Sequence, residues 1–317
     1  MSAKLDRLLS LLDQEETAPI HRMLLDFLGS NEVIHPEDNR PYLLIPELCC
    51  QALGGNHRLA EGVIIAWEAL YFAAHLLDLV ADADEFETHR GLFATVAAAC
   101  IPAGRILLED YTPSCLRKDA LAYLVRDFDR AIMSACAGQV MDLTEAEPSL
   151  ERCWEISSRK TGEIYALAAR SGARLATENQ DLIEILNNFG LHLGILIQIE
   201  DDINGLWSHK DDRSDIARGK WTLPVAYAFQ VLSPLESKRL KEQMTFANQH
   251  SRLEDTARRT IIESGALVYL AAEAEKHYRK AQNAIIQADL ADDGRRELIG
   301  LLDHATSWLS NDENQPS

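Results

Sequence analysis

The sequence predicts an all-α fold, and three observations carry that expectation. Apolar residues recur three and four apart in "LAEGVIIAWEALYFAAHLLDLV", "TGEIYALAARSGARLA" and "DLIEILNNFGLHLGILIQIEDD", which is the period of a helix with one buried face. Alternating patterns of useful strand length do not occur in the sequence. The breaks at "HPEDNRPY", "LGGNH", "IPAG", "YTPS" and "EAEPS" are all short, as between helices that pack side by side.

In chain order, the start "MSAKLDRLLSLLDQEE" is amphipathic and has no apolar signal-peptide region. An apolar helix begins near Glu61 and ends in acid. The helix that finishes in "QIEDD" is apolar on most faces, so it is expected to run through the interior. No Pro/Gly/Ser-rich linker and no repeat divides the chain. The expectation is one domain over residues 1–309, about ten or more helices around a very apolar central one. The last residues, "SNDENQPS", read as a disordered tail over 310–317.

The net charge is −19 and 47% of residues are hydrophobic. That charge argues against attraction to nucleic acid or to anionic membrane surfaces, and it suits sites that collect cations. No apolar run reads as long enough to span a bilayer, so no transmembrane segment is expected. A cytoplasmic location follows as the default. The six cysteines, Cys49, Cys50, Cys100, Cys115, Cys136 and Cys153, show neither zinc spacing nor a disulfide framework, and buried thiols are expected.

Two acidic clusters stand out. In "LLDLVADADEFETHRG" Asp78, Asp82, Asp84, Glu85 and Glu87 follow an apolar run. Asp78 and Asp82, four apart, share a helical face, where like charges repel by a few tenths of a kcal/mol, roughly. The negative end of the helix dipole disfavours them further. In "QIEDDINGLW" Glu200, Asp201 and Asp202 end the most apolar helix, and Lys210, Arg213, Arg218 and Lys220 follow. Either cluster alone reads as a solvated helix end. Together they read as carboxylates for Mg2+, which takes oxygen ligands and keeps water or phosphate in its other positions. Lysines, Lys160 among them, would then hold phosphate oxygens.

"QIEDDINGLWSHKDDRSDIARGKWTLPVAYAF" resembles the second aspartate-rich region of the polyprenyl synthetase family, the head-to-tail isoprenyl diphosphate synthases. "SDIARGKWTLP" is the most specific part, and "KTGEIYALAARSGA", "AWEALYFAAHLLDLVADADEFETHRG" and "NRPYLLIPELCCQALGG" match in family order. The resemblance runs from about residue 39 to residue 228. It implies an all-α isoprenoid synthase-type bundle around a deep apolar cavity, a homodimer, and two or three Mg2+ ions that ionise an allylic prenyl diphosphate. It implies Asp78, Asp82, Asp84, Asp201 and Asp202 as metal-binding and catalytic residues. Lys160, Lys210, Lys220 and Gln198 would hold the allylic diphosphate, Lys160 with a catalytic role. Arg40 and Arg90 would hold the second substrate.

Several positions depart from the family pattern. Leu79 replaces the second aspartate of the first motif, Gly205 the last of the second, and His89 the first of paired arginines. Where isopentenyl diphosphate binds, Glu37 and Tyr71 replace a lysine and a histidine. Isopentenyl diphosphate remains the leading acceptor. "DLVADADEF" is also similar to the bacterial enzymes that prenylate peptide tryptophans, so a second small-molecule or a peptide (indole) acceptor stays open. A terpene cyclase and a non-catalytic subunit of a heteromeric prenyl synthase are further alternatives. Ala73 and Ala74 with Phe72 and Trp67 deeper suggest room for a prenyl tail, or ordinary core packing. Trp207 and Trp221 could shield a cation.

Overall fold

Wherever the three-and-four spacing occurs, the computed structural model forms helix. It describes residues 5–29, 40–81, 90–112, 118–207 and 213–309, with no strand among them. The helices are α1 (Leu5–Leu12), α2 (Ala18–Gly29), α3 (Arg40–Leu43), α4 (Ile45–Ala52), α5 (Glu61–Ala81), α6 (Arg90–Tyr111), α7 (Lys118–Thr144) and α8 (Leu150–Ser157). They continue as α9 (Glu163–Ala176), α10 (Gln180–Asn204), α11 (Asp215–Arg218), α12 (Leu223–Val231), α13 (Pro234–Ala247), α14 (Ser251–Glu263), α15 (Ala266–Gln287) and α16 (Asp292–Ala305). The tail from residue 310 lies outside the described residues.

The chain divides into two compact units, and each is assembled from stretches far apart in sequence. One comprises Met1–Arg130, Leu167–Asn187 and Ile286–Leu298; the other comprises Ala131–Ala166, Asn188–Ile285 and Ile299–Ser317. Repeated passage between the units leaves no compositional boundary, which is why the sequence shows no linker.

In the first unit α5 packs along α6. Small buried residues, Ala69 and Ala73 on α5 with Ala97, Cys100 and Ala103 on α6, share one apolar cluster and let the helices approach closely. Leu8, Leu9 and Leu12 of α1 with Leu24 and Phe27 of α2 join it, and Phe27 meets Phe93 edge to face at 4.8 Å. Each such side chain contributes about 1.5–3 kcal/mol when fully buried. Phe72 and Ala73, read above as lining for a tail pocket or as core, belong to this packed cluster.

One expectation is corrected. Three helices are long and apolar enough to cross a membrane: Glu61–Ala81, Arg90–Tyr111 and Gln180–Asn204. Isolated polar residues such as Glu68 break the apolar run without lowering the mean hydropathy enough to disqualify it. Within the protein 56%, 44% and 56% of these spans are buried.

Four of the described thiols follow expectation, Cys49, Cys50, Cys100 and Cys153 being buried and free, while Cys136 departs from it and is exposed and free. Burial, aided by Glu47, pushes Cys50 up to about 11, and burial pushes Cys100 up to about 12. Neither is a thiolate near neutrality.

In the second unit, Leu206, Ile216, Val225, Leu240, Met244 and Ile261 form the core that follows the end of α10, with Trp207 and Trp221 packed against it. Trp221 stacks on Phe229 at 4.4 Å, so both tryptophans serve packing. Ser233 and Glu236 close a capping box at α13, with Pro234 in its first turn. Arg258 donates to the Leu206 carbonyl at 2.7 Å and to Glu254 at 2.6 Å, and Ser214 donates to the same Glu254 oxygen at 2.7 Å. The segment after α10 is thereby braced on α14.

His192 of α10 and His277 of α15 meet Nδ1 to Nδ1 at 3.1 Å, a spacing that holds one proton between a donor ring and an acceptor ring. Trp154 stacks on His277 and donates its indole N–H to the Tyr269 hydroxyl at 3.0 Å. Burial first, then Lys280, pushes His192 down to about 4. Burial first, then His192, Lys280 and Lys276, pushes His277 down to about 3. The unfolded chain takes up these protons below 6.5 while the native state refuses them. Stability is therefore full above pH 6.5 and is lost as pH falls from there toward 4 and 3. His277→Gln is expected to flatten that slope by about 1 kcal/mol per pH unit. Urea melts at about pH 7 and about pH 5, either side of the onset, check it; equal slopes in both proteins contradict it.

Candidate active site

The site in the second unit is built where α10 ends. Between α8 and α9 the chain makes a π-helical turn, Ser158–Gly162, a local widening that recurs at functional sites. Close approach makes it possible. A Cβ on Gly194 of α10 would stand 2.9 Å from Gly162 Cα and 3.0 Å from Thr161 O, so only glycine lets α10 lie against the turn. Lys160 and Thr161 are thereby fixed beside α10.

Four segments meet there. Lys160 Nζ lies 3.1 Å from Asp142 Oδ2 in the last turn of α7. Thr161 donates to Gln198 Oε1 at 2.5 Å, and Gln198 Nε2 donates to Asp202 Oδ1 at 2.6 Å. The Leu223 N–H donates to Asp202 Oδ2 at 2.8 Å. Lys220 Nζ lies 3.4 Å from Asp215 Oδ1.

The carboxylates feel one another. Asp202 is buried, and burial pushes its carboxyl up to about 7; the Leu223 N–H and the Gln198 amide oppose the rise, and Asp215 and Asp142 add to it. Burial also raises Glu200. The Cys153 thiol rises to about 12 through burial, then Asp202, Asp142 and Glu145. Negative charge is therefore concentrated around two lysines, which suits an anion only when a cation accompanies it.

Gly205 has a structural reason. A Cβ there would stand 2.0 Å from Asp215 Oδ2 and 2.8 Å from its Cγ. The Asp215 carboxylate thus occupies the space that a side chain at 205 would fill, and the Asp215 N–H donates to the Gly205 carbonyl at 2.8 Å. Gly205→Ala is expected to displace Asp215 from Lys220 and to cost about 1–3 kcal/mol by overpacking. Thermal melts check it; an unchanged melting temperature contradicts it.

The sequence-derived residues fall into three groups. Lys160, Gln198, Asp202 and Lys220 come together as described, with Asp201 exposed one residue before Asp202 on α10. Asp78 is half-buried near the end of α5, in the first unit, followed by Leu79 packed against that unit's core. Arg90 opens α6 and is exposed, and Arg40 opens α3. Tyr71 is half-buried and tilted on Trp67 at 5.9 Å. Asp82, Asp84, Lys210, Glu37 and His89 lie outside the described residues.

Among the described residues no three His, Cys, Asp or Glu side chains form a metal-holding group. Donor chemistry at the end of α10 fits a hard cation only in part: the exposed Asp201 offers carboxylate oxygen, while Asp142 and Asp215 are engaged by Lys160 and Lys220. Both oxygens of Asp202 accept hydrogen bonds from the chain itself. Asp142, Thr161 and Asp215 are site residues that sequence reasoning passed over.

A helical chain, a π turn beside a glycine seam and two lysines paired with carboxylates at an acidic helix end define the class in structural terms, an all-α protein with a charged site at a helix end. The sequence profile of the Polyprenyl synthetase family matches residues 37–261, and the chain belongs to that family as a prenyltransferase. It is 28% identical over 289 residues to a geranylgeranyl diphosphate synthase from Methanosarcina mazei, covering 85% of this chain and 83% of the relative. A polyprenyl synthase structure from Caulobacter crescentus, complexed with calcium and isoprenyl diphosphate, superposes with a TM-score of 0.76 at 24% identity, over 95% of this chain and 97% of that one. A geranylgeranyl pyrophosphate synthase from Corynebacterium glutamicum, complexed with isoprenyl diphosphate and magnesium, gives 0.80 at 18% identity over 96% and 97%.

Proposed function

We propose that this chain is a Mg2+-dependent isoprenyl diphosphate synthase, which ionises an allylic prenyl diphosphate and joins the cation to isopentenyl diphosphate. The observation that carries the reading is the gathering of Lys160 and Lys220, each beside a carboxylate, around the acidic end of α10. The relatives that elongate prenyl diphosphates support it. Asp201 would hold magnesium at the end of α10, and the family resemblance gives Asp78, Asp82 and Asp84 a metal-binding role of their own. When bound, the metal neutralises the leaving diphosphate as a Lewis acid.

The chain's own part is electrostatic. Lys160 and Lys220 would bind diphosphate oxygens and stabilise the charge that grows as the C–O bond breaks, with the electron pair leaving on oxygen. Asp142 and Asp215 hold these ammonium groups in place until the substrate arrives. The allylic carbon then forms a carbon–carbon bond with the acceptor alkene, and the resulting cation passes a proton to the departed diphosphate. Arg40 and Arg90 would hold the acceptor diphosphate.

Tyr71, a neutral residue where the family has a basic one, favours a second reading in which the acceptor is an indole of a peptide. One experiment separates them. Purified protein, Mg2+ and an allylic diphosphate are incubated with isopentenyl diphosphate or with a tryptophan peptide, and products are read by mass spectrometry. A longer prenyl diphosphate is expected; a prenylated peptide with no elongation overturns the acceptor assignment.

We also propose a homodimer, supported by the exposed apolar residues Met133, Val140 and Leu143 along α7. Light scattering is expected to give twice the chain mass; a monomer at all concentrations contradicts it.

A further inference from the structure

We propose that Asp202 is a positioning residue, a tether that sets the places of Lys160 and Lys220, and that it holds no metal ion. The proposal rests on the reading of those lysines as diphosphate-holding groups. Its ground is the relay that runs through the carboxylate. On one side Gln198 links Asp202 Oδ1 to the Thr161 hydroxyl, the neighbour of Lys160. On the other, Asp202 Oδ2 takes the first N–H of α12 at Leu223, three residues beyond Lys220.

Asp202 therefore caps α12 from another helix. Thr222 stands at the N-cap position with extended backbone, yet its side chain makes no capping bond. Its Oγ1 is buried without a partner. A threonine here would ordinarily take the N–H of the second or third helical residue, but the second is Pro224, which has none; the tertiary carboxylate satisfies the first N–H instead. The Cys153 thiol adds a second tie, donating to the Trp221 carbonyl at 3.6 Å. Three segments, the π turn, the end of α10 and the Lys220–Leu223 turn, are thus joined at one side chain that is 7% exposed. Asp201, one residue earlier, points about 100° away around the helix and is exposed.

A tether and a ligand respond differently to the change Asp202→Asn. With its carbonyl oxygen turned toward Leu223, the new amide still accepts from that N–H. Its NH2 group then faces Gln198, which can reverse its own amide while the Thr161 hydroxyl accepts. The relay survives without charge. Alanine breaks it on both sides.

The test compares Asp202→Asn, Asp202→Ala and Asp201→Asn by melting temperature, by calorimetric Mg2+ stoichiometry with inorganic diphosphate, and by KM for the allylic diphosphate. Asp202→Ala is expected to melt lower and to raise KM about tenfold or more with magnesium stoichiometry unchanged. Asp202→Asn is expected to melt with the wild type and to restore KM to within about threefold. Asp201→Asn is expected to lose a magnesium ion. Loss of a magnesium ion in Asp202→Asn, or melting as low as that of Asp202→Ala, overturns the proposal. A wild type that binds no diphosphate at any Mg2+ concentration refutes the functional reading instead, and the melting comparison then decides the tether by itself.

Discussion

Alanine in place of Asp201 is expected to lower turnover of an allylic prenyl diphosphate by about 10²–10³-fold, the cost of removing one preorganised charge-stabilising group. Adjacent residues on α10 point in different directions, so the helix buries Asp202 and exposes Asp201. The exposed carboxylate offers oxygen to a hard cation at the helix end whose other acid, Asp202, is linked to the segments that carry Lys160 and Lys220. Because Asp201 is exposed, its removal opens no cavity in the packing of α10, and the variant is expected to stay folded. Steady-state kinetics at saturating Mg2+, paired with a thermal melt, checks both halves. Turnover within about threefold of wild type would remove Asp201 from the chemistry.

The largest expected stability effect lies in the first unit. Asp127 of α7 is buried between two arginines of α9. Arg174 Nε donates to its Oδ2 at 2.6 Å, and Arg170 Nε stands 3.8 Å from the same oxygen. Arg170 also donates to Asn187 Oδ1 at 3.0 Å and to the Asp127 carbonyl at 3.5 Å, and the Arg174 guanidinium lies over the Tyr123 ring at 5.3 Å. With the carboxylate gone, two guanidinium groups remain in a largely buried place without their anion. Breaking a buried pair in this way costs about 3–5 kcal/mol. Asp127→Ala is therefore expected to lower unfolding stability by that amount, measured by denaturant titration with circular dichroism. A loss below about 1 kcal/mol would mean that the arginines find water or another anion.

The helices were legible because burial on one face writes a period into the sequence. α5, α9 and α10 fall where that period was read. The acid pair Asp201–Asp202 and the lysines Lys160 and Lys220 were legible as chemistry out of place on apolar helices. What the pair does separately was not legible, since a sequence does not show which of two adjacent acids a helix turns inward. Asp142 was passed over because it sits in the exposed last turn of α7, eighteen residues from its partner Lys160. "SRKTGE" reads as an ordinary helix start; the π turn depends on contact with Gly194, thirty-two positions after Gly162. Gly205 reads in the sequence as a lost aspartate, whereas Asp215 fills the space a side chain there would need. Such features arise from contacts between segments, and local pattern carries no trace of them.

The central claim is that the acidic end of α10 with Lys160 and Lys220 removes diphosphate from an allylic prenyl chain with the help of Mg2+. Diphosphate release from an allylic prenyl diphosphate, followed with and without Mg2+ and with isopentenyl diphosphate present, tests it most directly. The account predicts release that rises with Mg2+, stops with EDTA and falls sharply in Lys160→Ala. Release that ignores Mg2+, or that survives the loss of Lys160 undiminished, would contradict it.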